Sequence, residues 1–82
     1  MIDNGKIEVT VKLFADFLDY GPAKTNLTLL KGSTINTILE KYNIPKEKTK
    51  MIILVNRIPK YDRNMTLHDG DTIALFPPLA GG

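Results

Sequence analysis

Apolar and polar residues alternate in two segments near the start of this 82-residue chain. In the first, from residue 6 to residue 14, the aliphatic positions are Ile7, Val9, Val11 and Leu13. In the second, Thr25–Leu30, Leu27 and Leu29 alternate with polar residues. A period of two predicts β-strands that turn one face to a core and the other to solvent.

Helical spacing follows the first strand for about one turn. Phe14, Phe17 and Leu18 are three and four residues apart, and the Gly21-Pro22 pair ends the pattern. We expect the two phenylalanines to pack in the core or at its rim.

A longer helix is predicted in the middle of the chain. Ser33 and Thr34 carry hydroxyl groups suited to an N-cap. The apolar positions that follow form one helical face and are Ile35, Ile38, Leu39 and Tyr42. Asn43 and Pro45 then end the helix.

The next apolar segment, Met51–Val55, is continuous rather than alternating. Such a run predicts a short strand buried on both faces. Asn56 and Arg57 suit a tight turn, and Ile58–Tyr61 is predicted to return as an edge strand because Pro59 has no N–H to donate to a neighbour.

The remaining elements complete the fold prediction. Leu67–Asp71 contains Asp-Gly and is predicted to be a turn, and Thr72–Phe76 is the last strand. Strands on both sides of one helix predict an α+β domain, with a mixed sheet covering that helix. We assign the domain to residues 1–76 and an extended C-terminal tail to residues 77–82.

Composition excludes several kinds of function. Without cysteine, the chain has no disulfide, thiolate metal site or cysteine nucleophile. The net charge is only +2, and an acid dilutes the lysine cluster at residues 46–50, so nucleic-acid binding is not predicted. No apolar run approaches the ~20 residues of a membrane span, and the first residues do not resemble a signal segment. We expect a cytoplasmic protein that does not associate with membranes.

The C-terminal tail has the properties of a segment that enters a narrow space. Its residues are Pro77, Pro78, Leu79, Ala80, Gly81 and Gly82. The prolines hold the chain extended, and six extended residues reach ~20 Å. Glycine leaves a terminal carboxylate unshielded, and that carboxylate is ionised at neutral pH, so it can attack an activated phosphate.

Residues 67–82, which read LHDGDTIALFPPLAGG, resemble the C-terminal signature of the small, sulfur-carrying subunit of molybdopterin synthase. The first strand, the Gly-Ser-Thr before the helix and the Val55-Asn56 strand end are also similar to that family. The resemblance implies a ubiquitin-like β-grasp fold, in agreement with the order of elements predicted above.

The resemblance also implies a mechanism. An ATP-dependent, E1-like activating enzyme adenylates the carboxylate of Gly82, and sulfur from a persulfide converts it to a thiocarboxylate. The tail then enters the large synthase subunit, where this sulfur builds the dithiolene of molybdopterin. Gly81 and Ala80 allow passage, and the expected partner contacts are Phe76, Pro77, Pro78 and Leu79. This chain itself needs no bound cofactor, because the activating enzyme holds the ATP.

No side chain predicts a self-contained active site. His68 is a lone loop histidine, and Asp69 and Asp71 are too few to predict a metal site, so we expect all three to shape or border a turn. Arg57 is expected to be solvated, although a partner contact is the alternative.

Three other functions remain open. The chain is a candidate protein modifier, joined through Gly82 to lysines of target proteins. It is also a candidate sulfur donor for another pathway, such as thiazole formation, although such carriers are typically shorter and lack the Phe-Pro-Pro tail. The third alternative is a binding module whose tail has no role.

Overall fold

The computed structural model describes residues 5–45 and 50–78. Within these ranges the elements are β1 (Lys6–Leu13), a 3₁₀ helix (Ala15–Tyr20), β2 (Lys24–Leu30), α1 (Ile35–Lys41), β3 (Ile52–Val55), β4 (Ile58–Pro59) and β5 (Thr72–Phe76). The strands form one mixed sheet in the order β2-β1-β5-β3-β4. The predicted α+β class is confirmed.

The strand register gives the sheet two different faces. β1 is antiparallel to β2 and parallel to β5, so that Val11 lies between Thr25 and Ile73. β5 is antiparallel to β3, with Leu75 opposite Ile53. Because side chains alternate across a strand, the odd-numbered residues of β1, β3 and β5 share one face, here called the inner face.

The core lies between this inner face and α1. Its fully buried side chains include Val11, Ile35, Ile38, Leu39 and Ile73. The N-terminus of α1 is fixed by Thr34, whose N–H donates to Thr37 Oγ1 at 3.0 Å. At the other end Asn43 takes a left-handed φ of 59°, and the Ile44 N–H donates to the Leu39 carbonyl at 2.9 Å. The predicted start and end of the helix are therefore confirmed.

The 3₁₀ helix divides its apolar residues between the core and the surface. Phe17 is buried, Leu18 is exposed, and Phe14 lies just before the helix on the opposite, outer face of the sheet. The predicted helical turn is therefore present, with Phe17 in the core and Phe14 outside it. None of the helices in the described ranges has the length and hydropathy needed to cross a membrane.

Two predictions about the next strands were wrong. β3 is not buried on both faces: Ile52 is 41% exposed and Leu54 is half-buried, because α1 covers only the inner face. The return strand stops at Pro59, and Tyr61 is 92% exposed. Pro59 does lie on an edge strand, as predicted.

Candidate functional site

A cluster of apolar side chains lies on the outer face of the sheet, which none of the helices in the described ranges covers. We call it the apolar patch, and it consists of Phe14, Ile52, Leu54, Ala74 and Phe76. Ile52 is directly opposite Phe76, and Leu54 is directly opposite Ala74. Side chains directly opposite each other in an antiparallel pair share a face and come into contact. The patch is therefore continuous across β3 and β5.

Phe14 extends the patch beyond the end of β1. Its ring stacks on that of Phe76, with 4.2 Å between centroids and 7° between planes. Its N–H donates to the Leu75 carbonyl at 3.2 Å, which continues the pairing of β1 with β5. Phe14 is nevertheless 38% exposed. An aromatic pair fixed by the backbone but still open to solvent is suited to contact another protein.

The tail leaves the sheet from the edge of the apolar patch. Phe76 is the last residue of β5, Pro77 is half-buried and Pro78 is exposed. Of the predicted partner contacts, the structure places Phe76 against Phe14, and Pro77 and Pro78 follow Phe76 directly along the chain. Leu79, Ala80, Gly81 and Gly82 lie outside the described residues, and their roles stay predictions.

The family to which the chain belongs follows from its similarity to known protein families. A family model described as the ThiS family matches residues 11–82, which includes the apolar patch and the whole tail. The chain belongs to the ThiS family. None of the functionally curated proteins compared with it is significantly similar in sequence.

Three solved structures illustrate the range of proteins with this fold. One is a putative molybdopterin converting factor, subunit 1, from Pyrococcus furiosus; it is 25% identical with a TM-score of 0.71, over 89% of this chain and 99% of that one. Another is the complex of subunits 1 and 2 of the molybdopterin-converting factor from Helicobacter pylori, 26% identical with a TM-score of 0.63 over 93% of this chain and 100% of that one. The small archaeal modifier protein 1 of Methanosarcina acetivorans is 26% identical with a TM-score of 0.66, over 94% and 98%. The expected ubiquitin-like β-grasp fold, as found in sulfur carriers of this family, is confirmed.

The acidic loop before β5 has a structural role in this ThiS-family chain. Asp69 Oδ1 accepts from the Glu8 N–H at 2.8 Å. Asp71 accepts from Asn56 Nδ2 at 2.9 Å and, through its other oxygen, from the His68 N–H at 2.8 Å. Gly70 supplies the positive φ of 88° that the turn requires. The two carboxylates join this loop to β1 and to the β3–β4 turn instead of facing a common ligand.

Within residues 5–45 and 50–78, no three His, Cys, Asp or Glu side chains form a group that could hold a metal ion. Asn56 completes the structural network, because its Oδ1 accepts from the Thr72 N–H at 3.0 Å. The Val55-Asn56 and Asp-Gly-Asp parts of the resemblance therefore form one connected feature, which positions the start of β5.

Sequence reasoning missed most of the apolar patch. Phe14 was assigned to packing, and Ile52 and Leu54 were assigned to a strand covered on both sides. Parity along the strands identifies them only once the strand register is known. Lys12 is polar and pairs with Ala74, which places Ala74 on the outer face. Leu54 pairs with Ala74, and Ile52 and Phe76 lie two residues further along their strands, so these apolar side chains are on the outer face as well.

Proposed function

We propose that this chain is a sulfur carrier for molybdopterin synthesis, in which the apolar patch docks on the large synthase subunit and the tail delivers a thiocarboxylate at Gly82. One observation carries the proposal. Phe14 and Phe76 stack at the point where the tail begins, so the docking surface and the start of the tail are a single rigid feature. A partner that covers the patch necessarily receives the tail beside its own surface.

The length of the tail limits the distance between the docking surface and the centre to which the sulfur is delivered. From Pro77 to Gly82 the chain spans ~20 Å when extended. The reacting centre of the partner is therefore within ~20 Å of the surface that covers Phe76. Proline at positions 77 and 78 reduces the conformational entropy that the tail loses when it is threaded into a channel.

The chemistry at Gly82 requires no side chain of this protein. The carboxylate attacks the α-phosphate of ATP on the E1-like enzyme, pyrophosphate leaves, and an acyl-adenylate forms. A persulfide sulfur then attacks the carbonyl carbon and AMP leaves. A thiol cleaves the resulting S–S bond, which leaves an anionic sulfur on Gly82. That sulfur is the nucleophile for dithiolene formation, and a chain without cysteine offers no competing thiol.

The relatives support the partner named here. The Helicobacter pylori structure is a complex of subunits 1 and 2 of molybdopterin-converting factor. The similarity extends over 93% of this chain and over the full length of the matched chain of that complex. An uncovered apolar patch on a small domain is also a physical argument for a partner, because monomers rarely expose contiguous apolar surface without a use for it.

Reconstitution with the large subunit tests the proposal. Wild-type chain, thiocarboxylated by the activating enzyme, should convert the pterin substrate to molybdopterin. A variant lacking Gly82 and one extended by a single alanine should both bind the large subunit and give no product, because neither places a terminal sulfur at the correct depth. Product from the Gly82-deleted variant would contradict the proposal.

A second candidate function is attachment to other proteins through Gly82. The similarity to a small archaeal modifier protein favours it. The same acyl-adenylate would then react with a lysine amine, which releases AMP and forms an isopeptide bond. Arg63 is the last trypsin site in the chain, so tryptic digests of native lysates should contain lysines that carry residues 64–82 if this function is used. The absence of such lysines under every growth condition would exclude it.

A further inference from the structure

Two lysines face each other beside the apolar patch. Lys12 of β1 and Lys24 of β2 are direct cross-strand partners, and the other neighbour of Lys12 is Ala74 of β5. No carboxylate therefore stands opposite either ammonium group in the sheet. Like charges at directly opposed positions destabilise a sheet. This arrangement destabilises the isolated domain. A role in contact with another molecule would account for it.

A third cation borders the same surface. The groove over the patch has a volume of about 400 Å³, and Lys12, Arg57 and Phe76 are among its lining residues. None of the residues that line it is an aspartate or a glutamate. In the part of the chain that the structure describes, no ion pair involves Lys12, Lys24 or Arg57. The carboxylate of nearby Asp71 is already hydrogen-bonded to Asn56.

Arg57 occupies its position at a conformational disadvantage. It follows Asn56 in the β3–β4 turn, and the two residues have φ values of 73° and 53°. Turns of this kind favour glycine at the second position, because a Cβ is unfavourable at positive φ. A long cationic side chain is thus present at a position where the backbone conformation favours glycine, which has no side chain.

The opposite end of the outer face differs in charge. Lys6 lies on the same strand and face as Lys12, six residues away, which is ~20 Å along β1. Glu8 is the next residue of β1 on that face, so an acidic side chain stands beside Lys6. The protein as a whole carries only +2, and the local excess of positive charge is beside the apolar patch.

We propose that Lys12, Lys24 and Arg57 form a cationic rim that selects a partner surface with carboxylates around an apolar centre. This inference rests on the proposed function, and its occupant is the large synthase subunit. Rim charges of this kind accelerate encounter and fix orientation, whereas the apolar centre supplies most of the affinity. The large subunit of the same organism therefore carries acidic residues around the pocket that receives Phe14 and Phe76.

Binding kinetics at several salt concentrations test the rim. The wild-type chain and the variants Lys12→Glu, Lys24→Glu and Lys6→Glu are measured against the immobilised large subunit from the same organism. At about 0.1 M salt, Lys12→Glu and Lys24→Glu should each slow association by roughly three- to tenfold, with dissociation little changed. Lys6→Glu changes the net charge equally and should have less than a twofold effect, because the Debye length at that salt concentration is about 10 Å and Lys6 lies ~20 Å from Lys12.

Unfolding does not explain the expected loss. Lys24→Glu replaces a repulsive pair by an attractive one, so its melting temperature should rise while its association slows. An equal effect of Lys6→Glu, or association of the wild type that does not depend on salt, overturns the cationic rim.

Phe14→Ala separates the rim from the proposed function. If Phe14→Ala abolishes binding while the rim variants bind like the wild type, docking through the patch stands and the rim alone is wrong. If the wild-type chain does not bind the large subunit, or if Phe14→Ala binds normally, the docking proposal and the rim fail together.

Discussion

Replacing Arg57 by glycine should make the protein more stable, although it removes a side chain. Arg57 has a φ of 73°. A left-handed conformation costs a residue with a Cβ roughly 1–2 kcal/mol, and glycine avoids this cost. Glycine in turn gives the unfolded chain more freedom, which offsets about 0.4–1 kcal/mol. The net gain is about 0.5–1 kcal/mol in the free energy of unfolding.

Thermal denaturation followed by circular dichroism measures this gain. For a domain of this size, 1 kcal/mol corresponds to about 4–8 °C in the melting temperature, so Arg57→Gly should melt about 2–8 °C higher than the wild type. The same variant should associate more slowly with the large subunit, because it lacks one cation of the rim. Stability and binding would thus change in opposite directions.

Asn56→Gly is the matched control, since Asn56 precedes Arg57 in the same turn and has a φ of 53°. Its side chain donates to Asp71 at 2.9 Å and accepts from the Thr72 N–H at 3.0 Å. Two lost hydrogen bonds cost about 0.5–1.5 kcal/mol each, more than the relief of strain returns. Asn56→Gly should therefore melt at a lower temperature. A lower melting temperature for Arg57→Gly would refute the reasoning about its backbone.

Three further substitutions test other parts of the account. Gly21→Ala places a Cβ 2.9 Å from Cε1 of Tyr42, and this overlap should lower the free energy of unfolding by about 1–3 kcal/mol in urea denaturation; an unchanged midpoint would mean that the ring moves freely. Asp71→Ala removes the acceptor for Asn56 and for the His68 N–H, and should cost about 1–3 kcal/mol, with wild-type stability counting against a structural role for the acidic loop. Phe14→Ala should lower stability by about 1.5–3 kcal/mol, from the lost stacking and the lost burial of a ring that is 38% exposed, and should weaken large-subunit binding more than tenfold in calorimetry; unchanged affinity would remove the patch from the interface.

The inner half of the fold could be predicted from sequence because it follows period-two and period-three-to-four patterns. Val9, Val11 and Ile38 are apolar within regular patterns, and all three are buried. The end of the helix was also predictable, because Asn43 readily takes the left-handed conformation that ends a helix.

The outer face of the sheet could not be predicted from such patterns. A continuous run such as Met51–Val55 looks alike whether its outer residues are covered by a helix or form an exposed patch. The contact of Phe14 with Phe76 depends on the parallel pairing of β1 with β5, which joins residues 62 positions apart. Likewise, the opposition of Lys12 and Lys24 depends on the β1–β2 register, since nothing local in either segment indicates it.

The central claim concerns the chemical state of Gly82, which intact-protein mass spectrometry of native material measures directly. The account predicts a fraction of the protein in which one carboxylate oxygen is replaced by sulfur, located to Gly82 by fragmentation. This fraction should disappear when the activating enzyme is deleted and accumulate when the large subunit is deleted. A chain that carries only oxygen at Gly82 in all three strains would contradict the sulfur-carrier function.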